Sequence, residues 1–126
     1  MMRLLLDTHV FLWAVTDDRK LTKAARKLIL DASEVFVSSA SIWEASIKAG
    51  LGKLEVDVNL LVSEIEASGF LELPVRAVHA ALVRDLPDIH KDPFDRLLVA
   101  QALSEPLRLL SSDGHLSKYT DLVIAV

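Results

Sequence analysis

The sequence predicts an α/β domain of three layers, α/β/α, with helices covering both faces of a central parallel sheet. Three observations predict it. Short apolar runs such as RLLL at 3–6, VFVS at 35–38 and LRLL at 107–110 lack strict alternation with polar residues, as expected for strands buried on both faces. Amphipathic stretches with helical spacing separate those runs. The alternation continues from end to end, which is the pattern of repeated strand–helix units.

Arg3–Leu6 is expected as the first strand, with helix from Thr8 to Val15. A second helix is expected over Leu21–Ala32, where Leu21, Ala24, Ala25, Leu28 and Ile29 share one face. Val35–Ser38 reads as the second strand, and a helix over Ser41–Ala49 is stopped by Gly50 and Gly52. Asn59–Ala67 reads as helix, Phe70–Leu73 as a short strand ended by Pro74, and Val75–Asp85 as helix. Pro93 opens a strongly patterned helix running to Leu103. Leu107–Leu110 is the fourth strand, His115–Tyr119 a short helix, and Leu122–Ala125 the last strand. Right-handed crossovers favour three layers, and ligands then sit at the carboxyl ends of the strands.

Composition bounds the function. The 126 residues contain no repeat, low-complexity tract or linker, so a single domain over 1–126 is expected. Hydrophobic residues make up 52% and the mean hydropathy is +0.36, which argues against disorder. A domain this apolar fits one that hides surface against a partner or a second copy. Charges interrupt every apolar stretch before the roughly 20 residues a spanning helix needs, so no membrane is expected. Asp7 and His9 break the apolar N-terminus, which has no small-residue cleavage site, so it reads as strand and helix rather than signal peptide. The absence of cysteine excludes disulfides, thiolate zinc sites and a cysteine nucleophile, and fits a cytoplasmic location. A formal charge of −4 disfavours strong nonspecific nucleic-acid binding, and fits a carboxylate cluster that a cation neutralises.

Four acids stand at helix starts: Asp7 after the first strand, Glu44 after the second, Asp95 before the fourth and Asp113 after it. Each has a capping explanation. Ser41 and Glu44 have capping-box spacing, and Asp92-Pro93-Phe94-Asp95 matches a cap, a first-turn proline and an acid favoured by the helix dipole. Drawn to one sheet edge, however, the four would repel. At about 4 Å and an effective dielectric near 20, each like pair costs roughly 4 kcal/mol. A hard divalent cation, Mg²⁺ or Mn²⁺, removes that repulsion and prefers oxygen ligands. Such an ion activates water and stabilises charge on a phosphate, so phosphodiester hydrolysis is the expected chemistry. Asp7 and Asp95 are the expected direct ligands, and Glu44 and Asp113 direct or water-mediated ones.

The chain resembles the PIN domain, and within it the VapC-type toxins of bacterial toxin–antitoxin pairs. The resemblance is carried by LLLDTH at 4–9, SSASIWEASIKAGLGKL at 38–54, HKDPFDRLLVAQA at 90–102 and LLSSDGHLSKY at 109–119. It implies a PIN-like fold, Mg²⁺- or Mn²⁺-dependent endoribonuclease activity, a homodimer, and neutralisation by a small antitoxin. It places Thr8 and Ser112 where a hydroxyl beside an acid holds a metal-bound water; both also have ordinary capping readings.

Several residues keep two readings. Asp92 rivals Asp95 but is better explained as a helix cap. His90 and His115 flank acids, yet metal-activated water needs no histidine base, so a packing or surface role is preferred. Arg96 either binds an RNA phosphate or pairs with a nearby acid. Lys48, Lys53 and Lys91 line an RNA path or are solvated surface. Trp43 is expected in the core beside Glu44 rather than stacking a base, while Phe11 and Trp13 divide between core and partner contact. A receiver-type signalling domain also carries acids and Mg²⁺ at a sheet edge. It wants an acidic pair after the first strand and a phosphoacceptor aspartate after the third; here a lone Asp7 and Pro74 stand there. An aspartyl-nucleophile phosphatase would open with D-x-D, which DTH lacks. The intact four-acid set argues against a PIN-like scaffold that binds RNA or protein without cutting.

Overall fold

A computed structural model describes residues 2–126. Its strands are β1 (Arg3–Leu6), β2 (Glu34–Ser38), β3 (Leu71–Leu73), β4 (Arg108–Ser111) and β5 (Val123–Ala125). Its helices are α1 (Thr8–Thr16), α2 (Lys23–Asp31), α3 (Ser39–Gly50), α4 (Val58–Ala67), α5 (Ala77–Leu82) and α6 (Pro93–Ser104). Short 3₁₀ turns cover Val83–Asp85 and Gly114–Lys118. The expected order of elements is therefore observed.

The five strands form one parallel sheet in the order β3-β2-β1-β4-β5. Leu4, Leu5 and Leu6 are fully buried because β1 is central and covered on both faces. Successive side chains alternate between the faces. Leu4 and Leu6 join Val10, Phe11, Val37, Leu61 and Leu110 in the core beneath α1–α4. Leu5 joins Leu98, Val99, Leu109 and Leu116 on the opposite face, beneath α5 and α6. From β1 the chain moves outward to β2 and β3, then returns across the sheet to β4 beside β1. The carboxyl ends of β1 and β4 thus flank the topological switch point, where α/β sheets open a crevice.

Several boundaries shift for local reasons. The second helix starts at Lys23 because Thr22 accepts the Ala25 N–H as its N-cap. The third helix starts at Ser39, with Ser38 as its cap. Ser41 and Glu44 therefore lie inside α3, and the capping box expected of them does not form. Glu44 stands one turn deeper than expected and is free of capping duty. The expected Val75–Asp85 helix is shorter and ends in a 3₁₀ turn. Its start is delayed because the Val75 N–H is held by the Ser39 hydroxyl. Strand β4 runs one residue past the expected Leu110, to Ser111.

Candidate metal centre

Asp7 sits where β1 passes into α1. Its main-chain N–H extends the β1–β4 ladder to the Leu110 carbonyl at 3.0 Å. Its Oδ1 caps α1 through the Val10 N–H at 2.8 Å. Its Oδ2 accepts from the Ser111 hydroxyl at 2.7 Å and the Ser112 N–H at 3.1 Å. Burial pushes this carboxyl above the ordinary range, against the pull of those hydrogen bonds. A carboxylate offers about four lone-pair sites, so three bonds leave Asp7 able to accept once more.

Glu44 is buried on α3. Its Oε2 pairs with Lys48 Nζ at 2.7 Å, one helical turn on. Its Oε1 is buried without a hydrogen-bond partner among the described residues. An unpartnered buried carboxylate oxygen is costly unless something else satisfies it.

Asp95 lies in the first turn of α6, which runs back from the sheet's carboxyl edge towards β4. Asp92 caps this helix, accepting the Phe94 and Asp95 N–H groups at 2.8 and 3.1 Å. The capping reading of Asp92 agrees with this geometry. The Asp95 carboxylate accepts no hydrogen bond from the described residues, and its Oδ2 lies 3.7 Å from His90 Nε2. Burial, then repulsion from Asp92, Glu44 and Asp7, pushes it up to about 7, with His90 opposing. Asp113 follows β4 and caps the Gly114–Lys118 turn through Oδ1 and the His115 N–H. Its Oδ2 contacts His90 Nε2 at 3.0 Å. Asp7 and Glu44 are near enough to act on Asp95 through charge, and His90 joins Asp95 to Asp113.

His90 is the group that sequence reasoning undervalued. Its Nδ1 accepts the Asp92 N–H at 3.0 Å, which fixes the ring proton on Nε2. His90, Asp95 and Asp113 are close enough to share an ion. A protonated Nε2 has no lone pair for a metal, however, so in this tautomer His90 is a donor between two acids rather than a ligand. No periodic signal marks the Leu86–Asp92 loop that carries it.

The supporting residues make contacts of their own. Thr8 is buried and donates to the Ser41 hydroxyl at 2.9 Å. Ser112 holds Asp7 by its main chain, and the hydroxyl on that acid belongs to Ser111. Arg96 neither pairs with an acid among the described residues nor stands free for a phosphate. Its guanidinium ties down Pro87 and Val83 carbonyls and the Tyr119 hydroxyl at 3.0, 3.1 and 3.1 Å, anchoring the loop that carries His90. Trp43 is 60% exposed rather than core, and packs edge-on against Phe94. Phe11 is core, and Trp13 is half-buried beside His9. His115 is exposed.

The PIN domain profile matches residues 4–122. The chain belongs to the PIN-domain family. This PIN domain is 28% identical over 124 residues to "Ribonuclease VapC22" of Mycobacterium tuberculosis, covering 94% of this chain and 93% of that protein. Its fold is similar to VapBC2 from Rickettsia felis, solved bound to a promoter DNA fragment, with TM-score 0.69, 16% identity, and 97% and 96% of the two chains covered. It is also similar to a toxin–antitoxin complex from Klebsiella pneumoniae, with TM-score 0.66, 15% identity, and 97% and 96% covered. Among the described residues no helix is long and apolar enough to cross a membrane.

Proposed function

We propose that this PIN domain is a metal-dependent endoribonuclease that hydrolyses RNA phosphodiester bonds and acts as the toxin of a toxin–antitoxin pair. The observation that carries this reading is the gathering of Asp7, Glu44, Asp95 and Asp113 at the switch point. Asp95 and Glu44 Oε1 there accept no hydrogen bond from the described residues. Oxygen-only donors under mutual repulsion fit Mg²⁺ or Mn²⁺. Asp7 and Asp95 would hold the ion directly, with Glu44 and Asp113 direct or through water. A divalent cation bound there supplies a lowered water pKa and stabilises charge on the phosphate. The protein's own contribution is placement. Ser111 and the Val10 N–H fix the Asp7 carboxylate, Lys48 orients Glu44, and His90 holds Asp113 beside Asp95.

The likeness to a mycobacterial ribonuclease and the toxin–antitoxin complex among the fold neighbours support RNA as substrate and a small antitoxin as partner. A second copy is a further partner in this reading. The apolar surface of Trp43, Phe94 and Leu97 is the place where a homodimer would bury exposed area. The cytoplasm, where RNA and antitoxin are made, is the compartment this reading requires.

The test is sequencing of RNA ends after brief induction, together with cleavage of labelled RNA by purified protein with Mg²⁺, Mn²⁺ or EDTA. New ends that need Asp95 and a divalent ion are expected, and co-expression of a cognate antitoxin should protect. Intact RNA under every metal condition would defeat the reading.

A further inference from the structure

We propose that a cleft beside the acids binds a second backbone phosphate of the RNA, next to the one that is cut. The inference rests on the nuclease reading and adds a subsite to it. The cleft, of about 290 Å³, is lined by Thr8, His9, Leu12, Lys48, Lys53 and Leu54. It shares a wall with the candidate metal centre. Thr8 directly follows Asp7, and Lys48 Nζ lies 2.7 Å from Glu44.

Charge makes such a subsite necessary. The chain carries a formal −4, and its site is built of carboxylates. A polyanion approaching that site needs local cations. Lys48 and Lys53 supply them on one side, and the His9 ring lines the cleft beside them. An ammonium has three donors, so the Glu44 contact leaves two on Lys48 for a ligand. Lys53 forms no ion pair among the described residues and is exposed. The floor of Leu12 and Leu54 is apolar and fits a ribose face.

The pairing of the lysines is constructed by the backbone. Helix α3 ends at Gly50, and the Leu51 N–H bonds back to the Ile47 carbonyl. Gly52, at φ +71°, takes the left-handed conformation that reverses the chain. The Lys53 N–H then bonds the Lys48 carbonyl at 2.9 Å, so the two lysines share one turn. Lysines after a helix also favour its dipole. That role would stabilise the fold but would not make RNA binding depend on salt.

Lys53→Gln separates the two roles, using the full chain and a short single-stranded RNA of mixed sequence. Its KM for cleavage should rise about 3–10-fold with kcat retained, as expected for loss of one positioning contact. The salt dependence of RNA binding should weaken by about 0.7 in log–log slope, the loss of one phosphate contact to a single strand. Lys53→Arg should restore both, while Lys23→Gln on α2 should change neither. Binding slopes are read whether or not the protein cuts, so failure of the nuclease reading stays distinguishable. Wild-type KM and slope in Lys53→Gln would overturn the subsite. So would wild-type RNA binding with lost inhibition by the co-expressed antitoxin, which would assign the cleft to the protein partner.

Discussion

The two halves of the carboxylate site are built differently. On the β1–β4 side, Asp7 is held by three hydrogen bonds, from the Val10 N–H, the Ser111 hydroxyl and the Ser112 N–H. On the α3–α6 side, among the described residues, Glu44 Oε1 has no partner and Asp95 has only a 3.7 Å approach to His90. The first half is well hydrogen-bonded within the protein, although burial still raises the Asp7 carboxyl. The second gathers negative charge that Lys48 offsets only at Glu44 Oε2 and His90 offsets only in part at Asp95. Folds accept buried, unsatisfied polar atoms at functional sites and rarely elsewhere. The contrast makes Asp7 a prepositioned anchor and, in the proposed reading, assigns the requirement for a cation to Asp95 and Glu44.

Breaking the partly compensated half should have the largest effect. Asp95→Asn should lower RNA cleavage on the order of 10²–10³-fold, since a metal site supplies several kcal/mol of transition-state stabilisation. The same change should raise the melting temperature without metal, because it removes a repelled charge. Wild-type cleavage rates in that variant would end the contrast. Next in size is the metal itself. Mg²⁺ at 100 times its dissociation constant should stabilise the folded state by about 2.7 kcal/mol. Calorimetry with and without millimolar Mg²⁺ checks this, and a melting curve indifferent to metal would count against the site. Glu44→Gln should shrink the response. On the anchored side, Ser111→Ala should cost about 1–3 kcal/mol with or without metal, because it leaves Asp7 Oδ2 poorly satisfied. Chemical denaturation reads that loss. A metal-dependent cost for Ser111→Ala would mean that the two halves are not distinct.

Much of this arrangement was legible in the sequence, and the exceptions have physical causes. The strands declared themselves because a parallel sheet buried on both faces requires unbroken apolar runs such as Leu4–Leu6. Asp7 and Asp113 were readable because they follow such runs. Glu44 was placed one turn too shallow because Ser38, Ser39 and Ser41 all suit an N-cap, and only the backbone selects Ser38. Ser111 was passed over for Ser112 because β4 runs one residue further than its apolar pattern, and that residue turns its hydroxyl towards Asp7. Arg96 adjoins Asp95 in sequence, but consecutive helical residues do not share a face, and its partners lie in a loop. His90 enters through that same loop, where no periodicity constrains a reading.

The subtlest test of the contrast is its pH dependence without metal. An acid whose folded pKa lies above its unfolded value binds its proton more tightly when folded. Its stabilising contribution is therefore present at low pH and is lost as pH rises from the unfolded value through the folded one. For Asp95 that window runs from about 4 to about 7, and the raised Asp7 acts in the same direction. A shift of this size corresponds to at most about 4 kcal/mol, which solvent screening at a partly exposed carboxyl reduces to about 1–2 kcal/mol. With EDTA present, the melting temperature should therefore fall between pH 5 and pH 8. Asp95→Asn should flatten that fall, leaving the slope due to Asp7. Saturating Mg²⁺ should oppose the trend, because metal competes with protons for the same oxygens and gains as they are removed. The curves with and without Mg²⁺ should thus approach one another at pH 5 and separate by pH 8. A metal-free protein more stable at pH 8 than at pH 5 would show that Asp95 is compensated within the fold, and the two halves would then be alike.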